Sequence, residues 1–65
     1  MPIVEIKVWD GFGTENARQV IEEVTAMFER RGIPREAVEV VVTEVPMTHW
    51  GIGGTPASER FAGED

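Results

Sequence analysis

The residue with the clearest chemical potential is Pro2, which directly follows the initiator methionine in the opening stretch MPIVEIKVW. Methionine is normally removed when the next residue is as small as proline, and its removal would give Pro2 a free secondary amine able to act as a base or a nucleophile. An α-amino group titrates near pH ~8, and an apolar surrounding lowers that pKa, which suits proton transfer near neutral pH. The alternative is purely structural, because the start of a strand is one of the few places where a sheet tolerates proline.

Other side chains suited to chemistry are few. The sequence has a single histidine, His49, and no cysteine, so it offers neither a disulfide nor a clustered pattern of metal ligands. We therefore expect no metal and no cofactor, and we interpret His49 as a turn residue rather than a general base. The stretch GIGG at 51–54 is not a phosphate-binding loop, because it follows no strand-to-helix turn and no Lys-Ser or Lys-Thr pair comes after it.

Length and charge limit the class of protein. A chain of 65 residues forms one domain at most, here predicted over 1–65, and without disulfides or metal it needs partner subunits to bury enough surface. A net charge of −6 argues against nucleic acid and anionic membranes as partners. No stretch has the length of a membrane-spanning helix or the pattern of a signal peptide. We expect a cytoplasmic homo-oligomer that acts on a small molecule.

The first elements that must position these residues are a strand and a helix. Alternating apolar and polar residues predict a strand over Ile3–Trp9. Residues 10–13 have turn composition, and Thr14 is expected to cap a helix over Glu15–Arg31. The apolar residues of that helix fall on one face, at Ala17, Val20, Ile21, Val24, Met27 and Phe28.

The second half of the chain predicts a parallel partner strand and a hairpin. Gly32 fits the C-terminal cap of the helix. The valine-rich stretch Val38–Val45 predicts a strand buried on both faces, and THWGIGG at 48–54 favours a tight turn or short hairpin. Residues 59–65 are interpreted as a polar, frayed tail. The fold class is therefore α/β (α+β), with one β-α-β unit, a right-handed crossover and a C-terminal hairpin. Other copies must cover the open face of its sheet.

Together, the N-terminal MPI, the β-α-β body, VVVTEV in the second strand and HWGIGG after it resemble the 4-oxalocrotonate tautomerase family over nearly the whole chain. The resemblance implies that two units join their sheets into a dimer and that three dimers form a hexamer, with the C-terminal hairpins reaching neighbouring subunits. It also implies that the N-terminal proline is a catalytic base, which moves a proton between an enol and its keto isomer.

Carried over to this chain, the resemblance assigns the base to Pro2. It places Trp50 where the family usually has a pocket phenylalanine, with Ile52 in the same hairpin and Trp9 at a pocket position near the end of the first strand. Phe12 and Glu39 complete the predicted pocket, and each stands where the characterised dicarboxylate tautomerase has a substrate-binding arginine.

The missing arginines direct the substrate prediction towards a small enolisable 2-oxo acid, with an aryl group suited to the aromatic pocket. Backbone N–H groups or a remaining cation would then meet its carboxylate, the candidates being Lys7, Arg18, Arg35 and Arg60. Two alternatives stay open. One is a water-adding, dehalogenase-like relative that uses Pro2 with Glu39, although Glu39 is also interpretable as an exposed acid paired with Arg35. The other is an oligomeric scaffold without catalytic activity.

Overall fold

Two parallel strands joined by a helix form the framework of the chain. The computed structural model describes residues 1–61. In it, β1 (Ile3–Trp9) and β2 (Glu39–Val45) pair in parallel, from Ile3 opposite Glu39 to Trp9 opposite Val45. The helix α1 (Thr14–Glu29) connects them. The β-α-β unit predicted from the alternating residues and the apolar helical stripe is confirmed, and the bounds of β1 match those predicted.

The start of α1 differs from the sequence-based expectation. Gly13, not Thr14, takes the N-cap position, and it makes no side-chain capping hydrogen bond. Thr14 is already the first helical residue, so the prediction that it caps the helix is wrong. An acceptor comes instead from another element, since the carboxylate of Glu44 on β2 accepts a hydrogen bond from the Gly13 N–H at 3.0 Å. Sequence reasoning looked for a cap within the turn itself.

Helix α1 ends at Glu29, two residues before the predicted Arg31, but its closing turn follows the prediction. The N–H of Gly32 donates to the carbonyl of Glu29 at 3.0 Å, and the N–H of Ile33 donates to the carbonyl of Phe28 at 3.2 Å. This pair of bonds is the Schellman arrangement, with Gly32 at a φ of 89°. The role of Gly32 as the closing residue of the helix is confirmed.

Burial alternates along both strands because α1 covers only one face of the two-stranded sheet. Val4, Ile6 and Val8 of β1 are half-buried, as are Val40 and Val42 of β2. The opposite face is open, with Ile3 61% and Val41 48% exposed in the single chain. The expectation that β2 is buried on both faces is therefore wrong for one protomer, and Ile21 of the apolar helical face is 39% exposed.

The chain then forms a small C-terminal unit. After a short 3₁₀ helix at Met47–His49, β3 (Gly51–Ile52) pairs antiparallel with β4 (Thr55–Pro56), which confirms the predicted hairpin. Its two turn residues, Gly53 and Gly54, have φ values of 60° and 88°. A two-residue turn with both φ angles positive requires residues such as glycine.

A short helix α2 (Ala57–Arg60) follows the hairpin and covers the first two residues of the predicted frayed tail. Phe61 then contacts Trp9 with its ring. The rest of that prediction, residues 62–65, lies outside the described residues. None of the helices found in residues 1–61 is long and apolar enough to cross a membrane.

The described protomer is extended. Its radius of gyration is 15.2 Å, whereas a compact domain of this length has a value of about 11 Å. Among the apolar residues of 1–61, Ala57 alone is buried, with no exposed surface. A small covered area and an elongated shape indicate a unit that completes its core with other chains.

Candidate active site

Pro2 lies at the entrance of β1, where the neighbouring strand fixes its position. Its carbonyl accepts a hydrogen bond from the N–H of Glu39 at 3.0 Å, which extends the parallel ladder by one step. Pro2 is half-buried, whereas the preceding Met1 is 82% exposed. The fold therefore holds Pro2 through its carbonyl, and removing Met1 would strip no buried side chain from the protomer.

Glu39 is the predicted site residue that the structure brings beside Pro2. It is the first residue of β2 and the register partner of Ile3, and its side chain is exposed. The anticipated ion pair with Arg35 does not form in the described chain, where the ion pair found joins Arg18 and Glu15 at 3.8 Å. The Glu39 carboxylate is thus available at the Pro2 end of the sheet.

Three aromatic rings gather at the other end of β1. Trp9 contacts Trp50 edge-to-face with ring centroids 5.8 Å apart, and it contacts Phe61 in the same manner at 5.6 Å. We call Trp9, Trp50 and Phe61 the aromatic cluster. Edge-to-face pairs at such distances stabilise each other beyond the area they bury. The cluster forms a preassembled apolar wall at the carboxyl end of the sheet.

The hairpin is attached to the body of the protein close to this wall. The N–H of Ala57 donates to the carbonyl of Trp50 at 2.6 Å, and Ala57 itself is fully buried. Trp50 is thereby held at two points, through its ring by Trp9 and through its backbone carbonyl by Ala57. Ile52, the other predicted hairpin residue, is half-buried opposite Thr55.

A groove of about 370 Å³ runs beside Trp50. Its lining combines an apolar floor with polar groups, from Lys7, Val45, His49, Trp50 and Gly51. His49 ends the short 3₁₀ helix, where its Nδ1 lies 2.9 Å from the hydroxyl of Thr48. Lys7 is the cation that reaches this groove, which suits a small molecule with one negative charge.

Phe12 lies in the turn between β1 and α1. Its N–H donates to the carbonyl of Trp9 at 3.3 Å, so the turn folds back on the end of the strand. Phe12 is half-buried, and it follows the strand end that carries the aromatic cluster. The predicted pocket residues Trp9, Phe12 and Trp50 thus belong to one end of the molecule.

Pro2 and the aromatic cluster are not brought together within one chain. Seven residue steps separate Pro2 from Trp9, which corresponds to about 23 Å along an extended strand. The predicted site residues therefore fall into two groups in one protomer, Pro2 and Glu39 at what we call the amine end, and Trp9, Phe12 and Trp50 at what we call the aromatic end. A complete pocket of the predicted composition requires the amine end of one chain and the aromatic end of another.

The structure adds Phe61 and Glu44 to the residues that sequence reasoning selected. Phe61 was included in a polar tail, and its one available signal was an aromatic residue between charged neighbours. Glu44 accepts hydrogen bonds from the N–H groups of Gly11 and Gly13 at 3.3 and 3.0 Å. Its alternation with Val40 and Val42 places it on the helix side of the sheet, which was the signal available for this contact. Within 1–61, no group of three or more potential metal-binding side chains converges.

Comparisons with known proteins agree with this architecture. The sequence profile of the family described as "Tautomerase enzyme" matches residues 2–60. The chain belongs to the tautomerase family. A relative from Pseudomonas fluorescens named 2-hydroxymuconate tautomerase is 43% identical to this tautomerase over 60 residues, which are 91% of this chain and 95% of the relative. The family relationship makes the protein an isomerase.

Solved structures relate the tautomerase to the 4-oxalocrotonate tautomerase group. TomN, a 4-oxalocrotonate tautomerase homologue of the tomaymycin biosynthetic pathway, superimposes with a TM-score of 0.87 at 32% identity, over 98% of this chain and all of that one. A heterohexamer 4-oxalocrotonate tautomerase from Chloroflexus aurantiacus matches with a TM-score of 0.79 at 28% identity, over 91% of this chain and 97% of the other. The resemblance found in the sequence is confirmed at the level of family and fold.

Proposed function

We propose that this tautomerase interconverts the enol and keto forms of a small 2-oxo acid, with the secondary amine of Pro2 as the general base. The observation that carries the proposal is the placement of Pro2 at the entrance of β1, held by its carbonyl 3.0 Å from the Glu39 N–H. This bond leaves the Pro2 nitrogen unengaged by the ladder. Once Met1 is removed, that nitrogen is a terminal amine with a fixed position.

The proton transfer balances without any cofactor. The neutral amine of Pro2 takes the proton of the enol hydroxyl as the carbonyl forms. The resulting ammonium then gives a proton to the carbon that was part of the enol double bond, and the amine is neutral again. An apolar surrounding favours the neutral amine over the ammonium, so aromatic walls around Pro2 would keep it ready to accept a proton.

The aromatic walls reach Pro2 through a second chain in this proposal. The edge of β1 that faces away from β2 is free to pair, and pairing about a two-fold axis is antiparallel. Antiparallel pairing sets the start of one β1 beside the end of the other, which brings Pro2 next to the partner's Trp9. The pocket then receives the partner's Phe12, the partner's Trp50 and the partner's Ile52. Three such dimers would form a homohexamer, and the relative from Chloroflexus aurantiacus is a heterohexamer.

The substrate class follows from what lines the aromatic end. Trp9, Phe12 and Trp50 offer flat apolar surfaces that suit an aryl ring. Phe12 and Glu39 stand where the resemblance implies arginines for a second carboxylate, and Lys7 is the cation that lines the adjacent groove. A monoanionic 2-oxo acid with an aryl substituent fits this set of groups better than a dicarboxylate, because a second carboxylate would face Glu39 without a matching cation.

A second candidate reaction uses the same amine end. The carboxylate of Glu39 is exposed at the residue whose N–H holds Pro2. A carboxylate beside the amine is suited to orient a water molecule, as a water-adding or dehalogenating enzyme requires. Glu39→Gln separates the two reactions, since it should abolish water addition while leaving enol–keto conversion within about a factor of ten.

The decisive experiment compares trimmed protein with protein that keeps Met1. In the second form the Pro2 nitrogen is an amide that accepts no proton at neutral pH. Loss of a general base lowers kcat/KM on the order of a hundred- to ten-thousandfold. Intact mass identifies each form, and sedimentation must show the same oligomer for both. Equal turnover by the two forms would sink the catalytic role of Pro2, whereas no turnover by either form would favour a scaffold without activity.

A further inference from the structure

The turn that carries Phe12 is held by more hydrogen bonds than its closure requires. The N–H groups of Gly11 and Gly13, on either side of Phe12, both donate to the carboxylate of Glu44, at 3.3 and 3.0 Å. Each oxygen of the carboxylate takes one of them, Oε1 from Gly11 and Oε2 from Gly13. A single carboxylate on β2 therefore clamps both neighbours of one aromatic residue.

Phe12 itself is bound at both of its own backbone groups. Its N–H donates to the carbonyl of Trp9 at 3.3 Å, and its carbonyl accepts a hydrogen bond from the Nδ2 of Asn16 at 2.7 Å. The first contact ties the turn to β1, the second ties it to α1, and the Glu44 clamp ties it to β2. Every element of the β-α-β unit thus restrains this one turn.

The position of Glu44 explains how a strand residue reaches the turn. Glu44 is the register partner of Val8, one residue before the end of β1. It is in phase with Val40 and Val42, so its side chain projects to the side of the sheet on which α1 lies. The first residues of α1 begin there. Glu44 is also exposed, so its carboxylate makes these bonds in competition with water.

We propose that Glu44 is a positioning residue that fixes Phe12 as the ring-binding wall of the substrate site and so sets the preference for aryl substrates. The inference rests on the proposed function, in which Phe12 faces the substrate in place of an arginine. A ring held in advance loses little conformational freedom when a ligand ring packs against it. A loose turn would offer the same side chain at a greater entropic cost, and the ligand would bind less tightly.

A binding experiment tests this without relying on turnover. The probe is 3-phenylpropionate, an unreactive monoanionic aryl acid, titrated against the trimmed oligomer with the fluorescence of Trp9 and Trp50 as the signal. Glu44→Gln keeps the size of the side chain but places an NH₂ group where one acceptor oxygen was. We expect it to weaken binding about three- to tenfold, the range of one aromatic pair contact. Butanoate, which has no ring, should bind the variant and the unaltered protein equally.

A double-mutant cycle separates positioning from a direct role. Phe12→Ala should weaken binding of 3-phenylpropionate, and adding Glu44→Gln to it should cause no further loss, because Glu44 acts through Phe12. Hydrogen exchange at Gly11 and Gly13 should accelerate in Glu44→Gln. Additive losses in the cycle, or unchanged exchange at both glycines, would overturn the inference.

The matched control is Glu15→Gln, the same chemical change at the same end of α1. Glu15 lies in the first turn of the helix and has its own partner in Arg18 at 3.8 Å, away from the clamp. If Glu15→Gln weakened 3-phenylpropionate equally, the effect would belong to the helix end in general and the inference would be wrong. It would also be wrong if the unaltered protein bound 3-phenylpropionate no better than butanoate. Failure of the proposed reaction shows separately, as absence of turnover in the unaltered trimmed protein.

Discussion

Phe12 and Glu39 have opposite consequences for charge at the two ends of the strand. Phe12 gives an apolar surface at the aromatic end, and Glu39 gives an exposed carboxylate on the residue whose N–H binds the Pro2 carbonyl. The resemblance implies that the characterised dicarboxylate tautomerase has arginines at both positions, where they bind carboxylates. In the proposed function, the same backbone therefore presents a pocket of different polarity, in which we expect a ring to bind where the dicarboxylate tautomerase binds a second anion.

Substrate charge is the property that these two residues should decide. We expect kcat/KM for phenylenolpyruvate to exceed that for 2-hydroxymuconate, a dicarboxylate, by about tenfold or more, since one unmade charge-assisted hydrogen bond costs about 1.5–3 kcal/mol. Steady-state kinetics on both enols with the trimmed protein measure the ratio. Phe12→Arg should shift the ratio towards the dicarboxylate, whereas Phe12→Met, which removes the ring without adding charge, should not. A hundredfold preference of the unaltered protein for the dicarboxylate would contradict the pocket assignment.

At the scale of elements, the local pattern of the sequence was sufficient for β1, α1 and the hairpin. Alternation fixed the strand because its helix-facing valines pack and the other residues do not, and the Schellman bonds at Gly32 depend on residues within one turn. The helix start was predicted less well. Its cap partner is Glu44, thirty-one positions after Gly13, and capping rules that examine neighbouring residues do not reach so far.

The candidate site shows the same division between local and distant information. The family pattern selected Trp9 and Trp50, and the structure brings their rings together at 5.8 Å. Phe61 was not selected, because its packing on Trp9 depends on the path of α2 and not on any periodicity near it. The separation of Pro2 from the aromatic end follows from the length of β1, which the alternating residues already predict.

The hairpin turn should be sensitive to a single methyl group. Gly54 has a φ of 88°, so Gly54→Ala is strained even though nothing lies within 4 Å of an added Cβ. We expect a loss of about 1–2 kcal/mol of stability. Gly51→Ala, in the same hairpin, is the control, because Gly51 has equally open surroundings and no positive φ. Chemical denaturation at one fixed protein concentration compares them, and equal midpoints would contradict the turn assignment.

At the scale of the whole molecule, the protomer is thin and elongated, as expected for one subunit of an assembly. It measures 45 × 23 × 14 Å, and its open sheet face exposes Ile3 and Val41. These two residues lie diagonally on the same face of the sheet, and exposed apolar side chains so placed indicate a surface that another chain covers. We therefore expect the 65-residue chain to be stable as part of an assembly rather than by its own core.

Sedimentation should therefore find a hexamer, or at least a multiple of the dimer, at micromolar concentration. Val41→Lys puts a charge on the open face at a position that is 48% exposed in the protomer. We expect it to shift the oligomer towards smaller species, because burying an ammonium is costly even with its register partner Glu5 opposite it. As a control, Glu22→Lys introduces a lysine on the exposed side of α1 and should leave the oligomer intact. A folded, stable monomer of the unaltered chain would refute the shared pocket.

Because β1 separates Pro2 from Trp9, two variants with different defects should restore activity to each other. A chain that keeps Met1 lacks the base but retains its aromatic end, and a Trp50→Ala chain has the opposite defect. When the two are unfolded and refolded together, each mixed dimer contains one pocket with both defects and one with neither. We expect random pairing to restore about a quarter of the unaltered activity from two preparations that are each nearly inactive. A pocket built within single chains would show no such complementation.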